Sequence, residues 1–426
     1  MPTPNPGGSD WIELYNKNAT LPAALNGLYI QTNGDAFRVS ALAFIAPNDY
    51  LQLFCDEKPG VNQLDFKLAA GGAIFSILDP NGVKFDTVSF GPQAQGISQG
   101  RVPDGTGAIM SFSSGGTGGA VNYSITYTGP ALNEILACNI TGAQAPWGTR
   151  ADWVELYSPS NAPVDLGGMK LSVINAATAR TIPPNTIIPS QGYLAIWCDP
   201  AHAQSTVAGA DLNTGSGLGD ASGSLYLFNS IGQLVNSIEW GFQLADQSIR
   251  LTAGSWKLLA NSTRASANSA PALLDAPGGL KINEWSPFPS MGPDWFKLYN
   301  AAPNPVDMGG LYLADDPSEV GRAKFRIPPL SFIASTGWIR WEADNSPELG
   351  RKHVNFNLDS GAEYLRLSNP DLSSIDTISF GFQTIGVSQG CFPDGAASVV
   401  AMPFSATPGG KNALLSVFPA TQSLSA

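Results

Sequence analysis

Three copies of one motif recur at a constant interval of 142 residues: Asp10-Trp-Ile-Glu-Leu-Tyr15, Asp152-Trp-Val-Glu-Leu-Tyr157 and Asp294-Trp-Phe-Lys-Leu-Tyr299. A chain built this way lays down one structural unit three times, so any fold it adopts must suit the unit. Stalks, adhesins and spacer arrays are made by such repetition, whereas catalytic machinery is seldom needed in triplicate. The 426 residues are expected to form three domains, placed by the motifs at 1–122, 131–269 and 279–412, with 413–426 as a tail or linker. Each unit is long enough to bury its own core.

The third unit carries the clearest pattern. It opens on Leu280-Lys-Ile-Asn-Glu-Trp285 and continues through Met308-Gly-Gly-Leu-Tyr-Leu313, Gly337-Trp-Ile-Arg-Trp341, Ala362-Glu-Tyr-Leu-Arg-Leu367 and Ile375-Asp-Thr-Ile-Ser-Phe-Gly381. Gly390-Cys-Phe-Pro-Asp-Gly395 and Thr407-Pro-Gly-Gly-Lys-Asn412 close it. These short apolar or alternating runs, bounded by Gly, Pro, Asn and Asp, read as strands and turns. Nothing sustains a helical period over three turns. The fold class is therefore all-β, each unit a β-sandwich of about eight strands. The first unit repeats the signals, for example Phe85-Asp-Thr-Val-Ser-Phe-Gly91 and Gly100-Arg-Val-Pro-Asp-Gly105, and the second diverges most, with Arg250-Leu-Thr-Ala-Gly254 replacing the Pro-Asp-Gly turn.

The ordered motifs resemble the lamin tail domain family in its bacterial form, in all three units and over nearly the whole chain. The resemblance implies three tandem immunoglobulin-like β-sandwich domains, each a non-catalytic module of secreted or surface proteins, often strung in arrays or attached to hydrolases. The nuclear lamins of that family carry coiled-coil rods, and no heptads occur here.

Composition narrows the alternatives. A net charge of −12 and a pI near 4.6 leave no clustered Lys and Arg for nucleic acid. No apolar run reaches the ~18 residues of a membrane span. With only His202 and His353, most metal sites and histidine-activated nucleophiles are hard to assemble, and the two lie in loops that read as unrelated. The acidic turns Asp56-Glu57, Asp79-Pro-Asn-Gly82 and Asp315-Asp316 lack a calcium-loop pattern and read as solvated turns. Neither a metal nor a cofactor is expected. Cys55 and Cys198 share a repeat position, for which the third unit supplies Glu342, and the four cysteines read as mostly buried free thiols. The first residues lack a signal peptide, so the chain reads as a piece of a longer protein.

Alternation puts Ile12 and Leu14 on one face of the motif strand and Trp11, Glu13 and Tyr15 on the other. The charged Glu13, Glu155 and Lys297 mark that second face as outward, where Trp11, Tyr15, Trp153, Tyr157, Trp295 and Tyr299 would form stacking platforms for sugars or peptides. The competing reading covers them with a crossing loop or a neighbouring unit. Trp147 has no counterpart in the other units and is the best single candidate for an exposed contact residue.

Units two and three open with Leu132-Asn-Glu-Ile135 and Ile282-Asn-Glu-Trp285, but the first unit has no such strand. A piece cut from a longer array would lack it for that reason alone; the sharper expectation is an open strand slot, filled by the tail Gln422–Ala426 in cis or in trans, or left hydrated. The functional expectation is a structural or adhesive array in a bacterial secreted or cell-surface protein. The alternative is a polysaccharide-binding appendage that targets a secreted enzyme. Partners would be other domains of a longer protein, copies of the chain itself or surface polysaccharide.

Overall fold

The computed structural model describes residues 10–414, apart from 33–34, 40–41, 58–61, 70–71, 92–96, 103, 106–107, 113–121, 123–126, 174–178, 233, 253–254, 318–323, 347–348 and 404–405. The described residues contain no α-helix, and the chain is all-β, built as immunoglobulin-like sandwiches.

In the third unit a five-stranded sheet runs Trp338–Ala343, Asp294–Asn300, Leu280–Ser286, Val387–Cys391, Val399–Pro403. It packs on a four-stranded sheet ordered Phe325–Arg326, Tyr312–Ala314, Glu363–Ser368, Ser374–Phe380. Ile282, Phe296, Leu298 and Trp341 from the first sheet meet Leu313, Leu365, Leu367 and Phe380 from the second in one buried core. These are the alternate positions of each strand, as a two-sheet sandwich requires. The second unit repeats the plan, with a six-stranded sheet around Ala131–Leu136 and Asp152–Tyr157 against a four-stranded sheet around Gly223–Phe228.

The first unit departs from it. Its four-stranded sheet is intact, but among the described residues its larger sheet comprises two parts, Gln63–Leu64, Tyr50–Cys55, Asp10–Tyr15 and Ser98–Val102, Ala108–Phe112. In the other units the opening strand joins these two halves.

The units also enter one another. Phe242 of the second unit lies in the third unit's core, 4.9 Å from Trp341 and edge-on at 71°. In return Phe332 of the third unit lies in the second unit's core. Backbone bonds pin the exchange, from Phe332 N to Phe242 O at 2.8 Å and from Gly241 N to Pro329 O at 3.1 Å. Ile74 of the first unit joins the third unit's core, and Ile97 packs on Tyr226 and Phe228 of the second. Glu239 ties all three together, accepting from Gln99 at 2.6 Å and from Arg351 at 3.1 Å.

Register corrects one sequence expectation. Asp10, Asp152 and Asp294 pair with Cys55, Cys198 and Ala343, so the third unit's residue at the cysteine position is Ala343 rather than Glu342. A slip of one residue transfers a side chain to the opposite face, and Ala343 is the one that fits the core. All four cysteines are free, and Cys55, Cys198 and Cys391 are buried.

Candidate functional site

The motif strand organises two features, a clasp on its polar face and an aromatic cluster at its start. The clasp begins with a bulge. Both opening strands slip register at the asparagine, between Leu132 and Glu134 and between Ile282 and Glu284. The extra residue re-aims the strand, so Glu134 faces Glu155 and Glu284 faces Lys297 directly across the ladder.

Glu155 and Lys297 are both 0% exposed, which corrects the expectation that they mark an outward face. A closing segment from the end of each unit crosses over them. In the third unit Glu284 accepts from Ser388 Oγ at 2.7 Å, Thr407 N at 3.0 Å and Thr407 Oγ1 at 2.8 Å, and pairs with Lys297 Nζ at 2.8 Å. Lys297 Nζ also donates to Thr407 O at 2.6 Å and Gly410 O at 2.5 Å. Burial pushes the Lys297 ammonium below its ordinary pKa, against the pull of Glu284. Asn412 completes the clasp, donating to Asn283 O at 3.0 Å and Cys391 O at 2.7 Å.

The second unit builds the same clasp from Thr263 and Asn268. Glu134 accepts from Ser248 Oγ at 2.6 Å, Thr263 N at 2.8 Å and Thr263 Oγ1 at 2.5 Å. Glu155 accepts from Asn133 Nδ2 at 2.8 Å and from Ala265 N at 2.5 Å. Burial pushes the Glu155 carboxyl up to about 7, with the neighbouring Glu134 adding to the shift. Every one of these polar groups is committed to holding the chain. Thr263, Asn268, Thr407 and Asn412 were not expected to meet the Asn-Glu pairs. The shared Thr-to-Asn interval of five residues was the available signal.

The motif tyrosines form cross-strand aromatic pairs. Tyr15 stacks on Tyr50 at 4.8 Å, Tyr157 meets Tyr193 at 5.0 Å and Tyr299 stacks on Trp338 at 5.7 Å. The Asp-Gly step of the Pro-Asp-Gly motif closes over this pair in the first and third units. A Cβ on Gly105 or Gly395 would sit 3.0 or 3.2 Å from the Tyr15 or Tyr299 ring, and both residues hold φ near +70° (+71° and +72°). Trp153 and Trp295 are buried, while Trp11, Tyr15, Tyr157 and Tyr299 are half-buried. Arg340 lies 5.3 Å over the Trp295 ring.

Trp147 sits in the second unit's aromatic cluster with Trp153 and Trp197. It is half-buried, stacks on His202 at 4.7 Å and donates its Nε1–H to Asp199 Oδ2 at 2.7 Å. Asp199 also accepts from Thr149 Oγ1 at 2.7 Å, and His202 Nδ1 lies 3.1 Å away. Burial opposes ionisation of Asp199, but the Thr149, Trp147, Ala201 and His202 hydrogen bonds outweigh it and hold the carboxyl down at about 2. Arg264 covers the other side of the cluster, 4.0 Å over Trp197.

The two histidines occupy related places rather than unrelated loops. His353 Nδ1 lies 2.7 Å from Asp344 Oδ2, and Asp344 and Asp199 both directly follow the strand paired with the motif strand. Sequence alone hid this because His202 is three residues beyond its aspartate and His353 nine. Among the described residues no serine hydroxyl hydrogen-bonds either ring, and no three His, Cys, Asp or Glu converge as metal ligands. The acidic turns are locally occupied: Asp79 Oδ1 accepts from Asn81 N and Val83 N, and Asp315 pairs with Lys324. A cavity of about 50 Å³ lies where the units meet, lined by Ile74, Ser89, Ser222, Arg326, Arg351 and Asn355 among others. Its size suits a few water molecules.

The all-β sandwich and its strand order define an immunoglobulin-like module. Residues 132–242, inside the second unit, match the Lamin Tail Domain family model. That family is generally non-enzymatic. No curated protein matches the chain.

Proposed function

We propose that the chain is a non-catalytic structural and adhesive array acting as one stiff three-unit body in a bacterial secreted or cell-surface protein. The observation that carries this reading is the reciprocal burial of Phe242 and Phe332 in each other's units, with Glu239 joining all three. Inter-domain contacts that share core residues resist relative motion, unlike the polar and transient contacts usual between tandem domains. The polar groups of the motif strands serve the clasps, so they hold structure rather than perform chemistry.

A second reading has one observation in its favour. Trp147 is a half-buried indole held by Asp199 and His202 in the second unit, and such a ring could pack on a sugar of a surface polysaccharide. Retention of the purified chain on bacterial envelopes tests both. The structural and adhesive reading expects retention that survives Trp147→Ala. Retention lost in that variant supports a polysaccharide-targeting appendage, and no retention of either protein overturns the adhesive role.

A further inference from the structure

We propose that Phe382 of the third unit is a docking knob, and that its partner is the exposed Leu42–Phe44 edge of the first unit in a second copy of this chain. The contact that joins the second unit to the third is the template. Its knob is Phe242, two residues beyond the strand Leu234–Trp240, set against Trp341. Its receiving edge is Leu330-Ser331-Phe332. Phe332 N donates to Phe242 O at 2.8 Å, and Leu330 O accepts from Gln243 Nε2 at 2.7 Å. The approach is so close that a Cβ on Gly241 would collide with Ser331 Oγ.

The third unit builds the same knob at the same place. Phe382 lies two residues beyond Ser374–Phe380, and Gln383 N donates to Ser360 O at 2.7 Å as Gln243 N does to Asp220 O. Gln383 Nε2 donates to Gly381 O at 2.7 Å and Phe382 O at 3.3 Å. Gln243 Nε2 holds Gly241 O and Phe242 O in the same way, at 3.3 and 3.2 Å. What differs is the cover. Phe242 is 6% exposed and Phe382 is 77% exposed, and a Cβ on Gly381 would meet nothing within 4 Å. Ile385 and Phe288 are exposed beside it, on loops joined by Gly386 N to Phe288 O at 2.8 Å. Clustered apolar side chains on a surface mark a site of association.

The first unit supplies the matching edge. Ala23 and Ala24 pair with Ile45 and Phe44 as Val306 and Asp307 pair with Ile333 and Phe332. Leu42-Ala43-Phe44 therefore holds the register of Leu330-Ser331-Phe332. Leu42 is 77% and Phe44 56% exposed, whereas Phe332 is buried in the second unit's core. Leu53, paired with Ile12 as Trp341 is with Phe296, stands where the incoming ring would rest. The second unit is the poorer receiver, because Asn185-Thr186-Ile187 holds that register and has neither the leucine nor the aromatic ring. Knob and edge lie on different units, so the contact is heterologous and joins copies head to tail.

Sedimentation equilibrium of the full chain, taken up to about 1 mM, tests this. The weight-average mass should rise with concentration above the 44.6 kDa of one chain. Phe382→Asp and Phe44→Asp should each leave a monomer, with melting temperatures unchanged because both rings are exposed. Leu42→Asp should act as Phe44→Asp does, which guards against a local folding defect at Phe44. Mixed in equal amounts, the Phe382→Asp and Phe44→Asp variants share one intact knob and one intact edge, so the mixture should stop at a dimer. A parent chain that stays monomeric, or association that survives either substitution, would overturn the proposal. So would a mixture that stays monomeric, since the knob would then have another receiver. The association needs no bacterial envelope, so its outcome is separate from that of the adhesive reading.

Discussion

The second and third units solve one problem with opposite chemistry. Each buries a glutamate on the opening strand against the same position of the motif strand, under the same closing segment. The third unit places Lys297 there, so the charges cancel and the ammonium also binds two closing-segment carbonyls. The second unit places Glu155 there, so two carboxyls face each other with Asn133 and backbone N–H groups as donors. Without an ammonium to take it, Thr263 O accepts from Ser266 instead, through Oγ at 3.0 Å and N at 3.1 Å. Geometry of the clasp is thus separable from its charge. What the charge decides is the pH at which the clasp holds.

Removing the ammonium tests this most severely. Lys297→Met leaves Glu284 buried without a counter-charge, which should cost the third unit about 3–5 kcal/mol. Denaturant unfolding combined with hydrogen exchange of residues 294–300 reads the loss. Lys297→Glu should recover part of it at acidic pH, because it recreates the arrangement of the second unit. A variant as stable as the parent at pH 8 would end the comparison.

Phe242→Ala asks whether the two units can be compared as separate bodies at all. The ring belongs to the second unit by sequence but fills the third unit's core beside Trp341. Its loss should cost about 3 kcal/mol and should speed exchange in the third unit more than in the second. Units that each bury a core of their own would instead unfold in separate steps. Protection lost only in residues 131–258 would restore that view.

The pH profile carries an effect of similar size. Burial pushes Asp152 up to about 6 and Glu155 up to about 7, above their unfolded values. Their folded forms favour the proton, so this stability is complete below the unfolded carboxyl range and is lost as pH rises through 6 and 7. The second unit should gain about 4 kcal/mol between pH 8 and pH 5, most of it from Glu155. Glu155→Gln should flatten most of that slope. Exchange in residues 152–157 that is indifferent to pH, after correction for intrinsic rates, would remove the proposed role of the proton.

Much of this molecule is legible in its sequence, for a physical reason. Strand runs, turns and the 142-residue interval are local signals, and they are enough for the sandwich class. Alternation assigned Trp11, Glu13 and Tyr15 to one face, but alternation does not say what covers a face. The cover of Lys297 is Thr407, 110 residues later, and that of Glu134 is Thr263, 129 residues later. The exchange of Phe242 and Phe332 was invisible for a related reason, since each reads as an ordinary apolar position of its own unit. Trp147 stood out because it breaks the repeat, and the partners that hold it, Asp199 and His202, were half-hidden by loop length.

The smallest effect offers the sharpest control. Ser248 and Ser388 donate equivalent hydrogen bonds to Glu134 and Glu284, at 2.6 and 2.7 Å, and both hydroxyls are fully buried. Changing either to alanine removes a donor to a glutamate that keeps its threonine contacts, so each should cost about 1–2 kcal/mol. The costs should match at pH 5, where a proton on Glu155 spares Glu134 a charged neighbour. At pH 8 the second unit's clasp loses that proton, whereas the third unit pairs Glu284 with Lys297, so Ser248→Ala should then cost more than Ser388→Ala. The measurement is the difference between the two variants at each pH, read by exchange in the opening strands. Equal differences at both pH values would mean that the hydroxyls sense only geometry, and that the charge at the Glu155 and Lys297 position does not reach them.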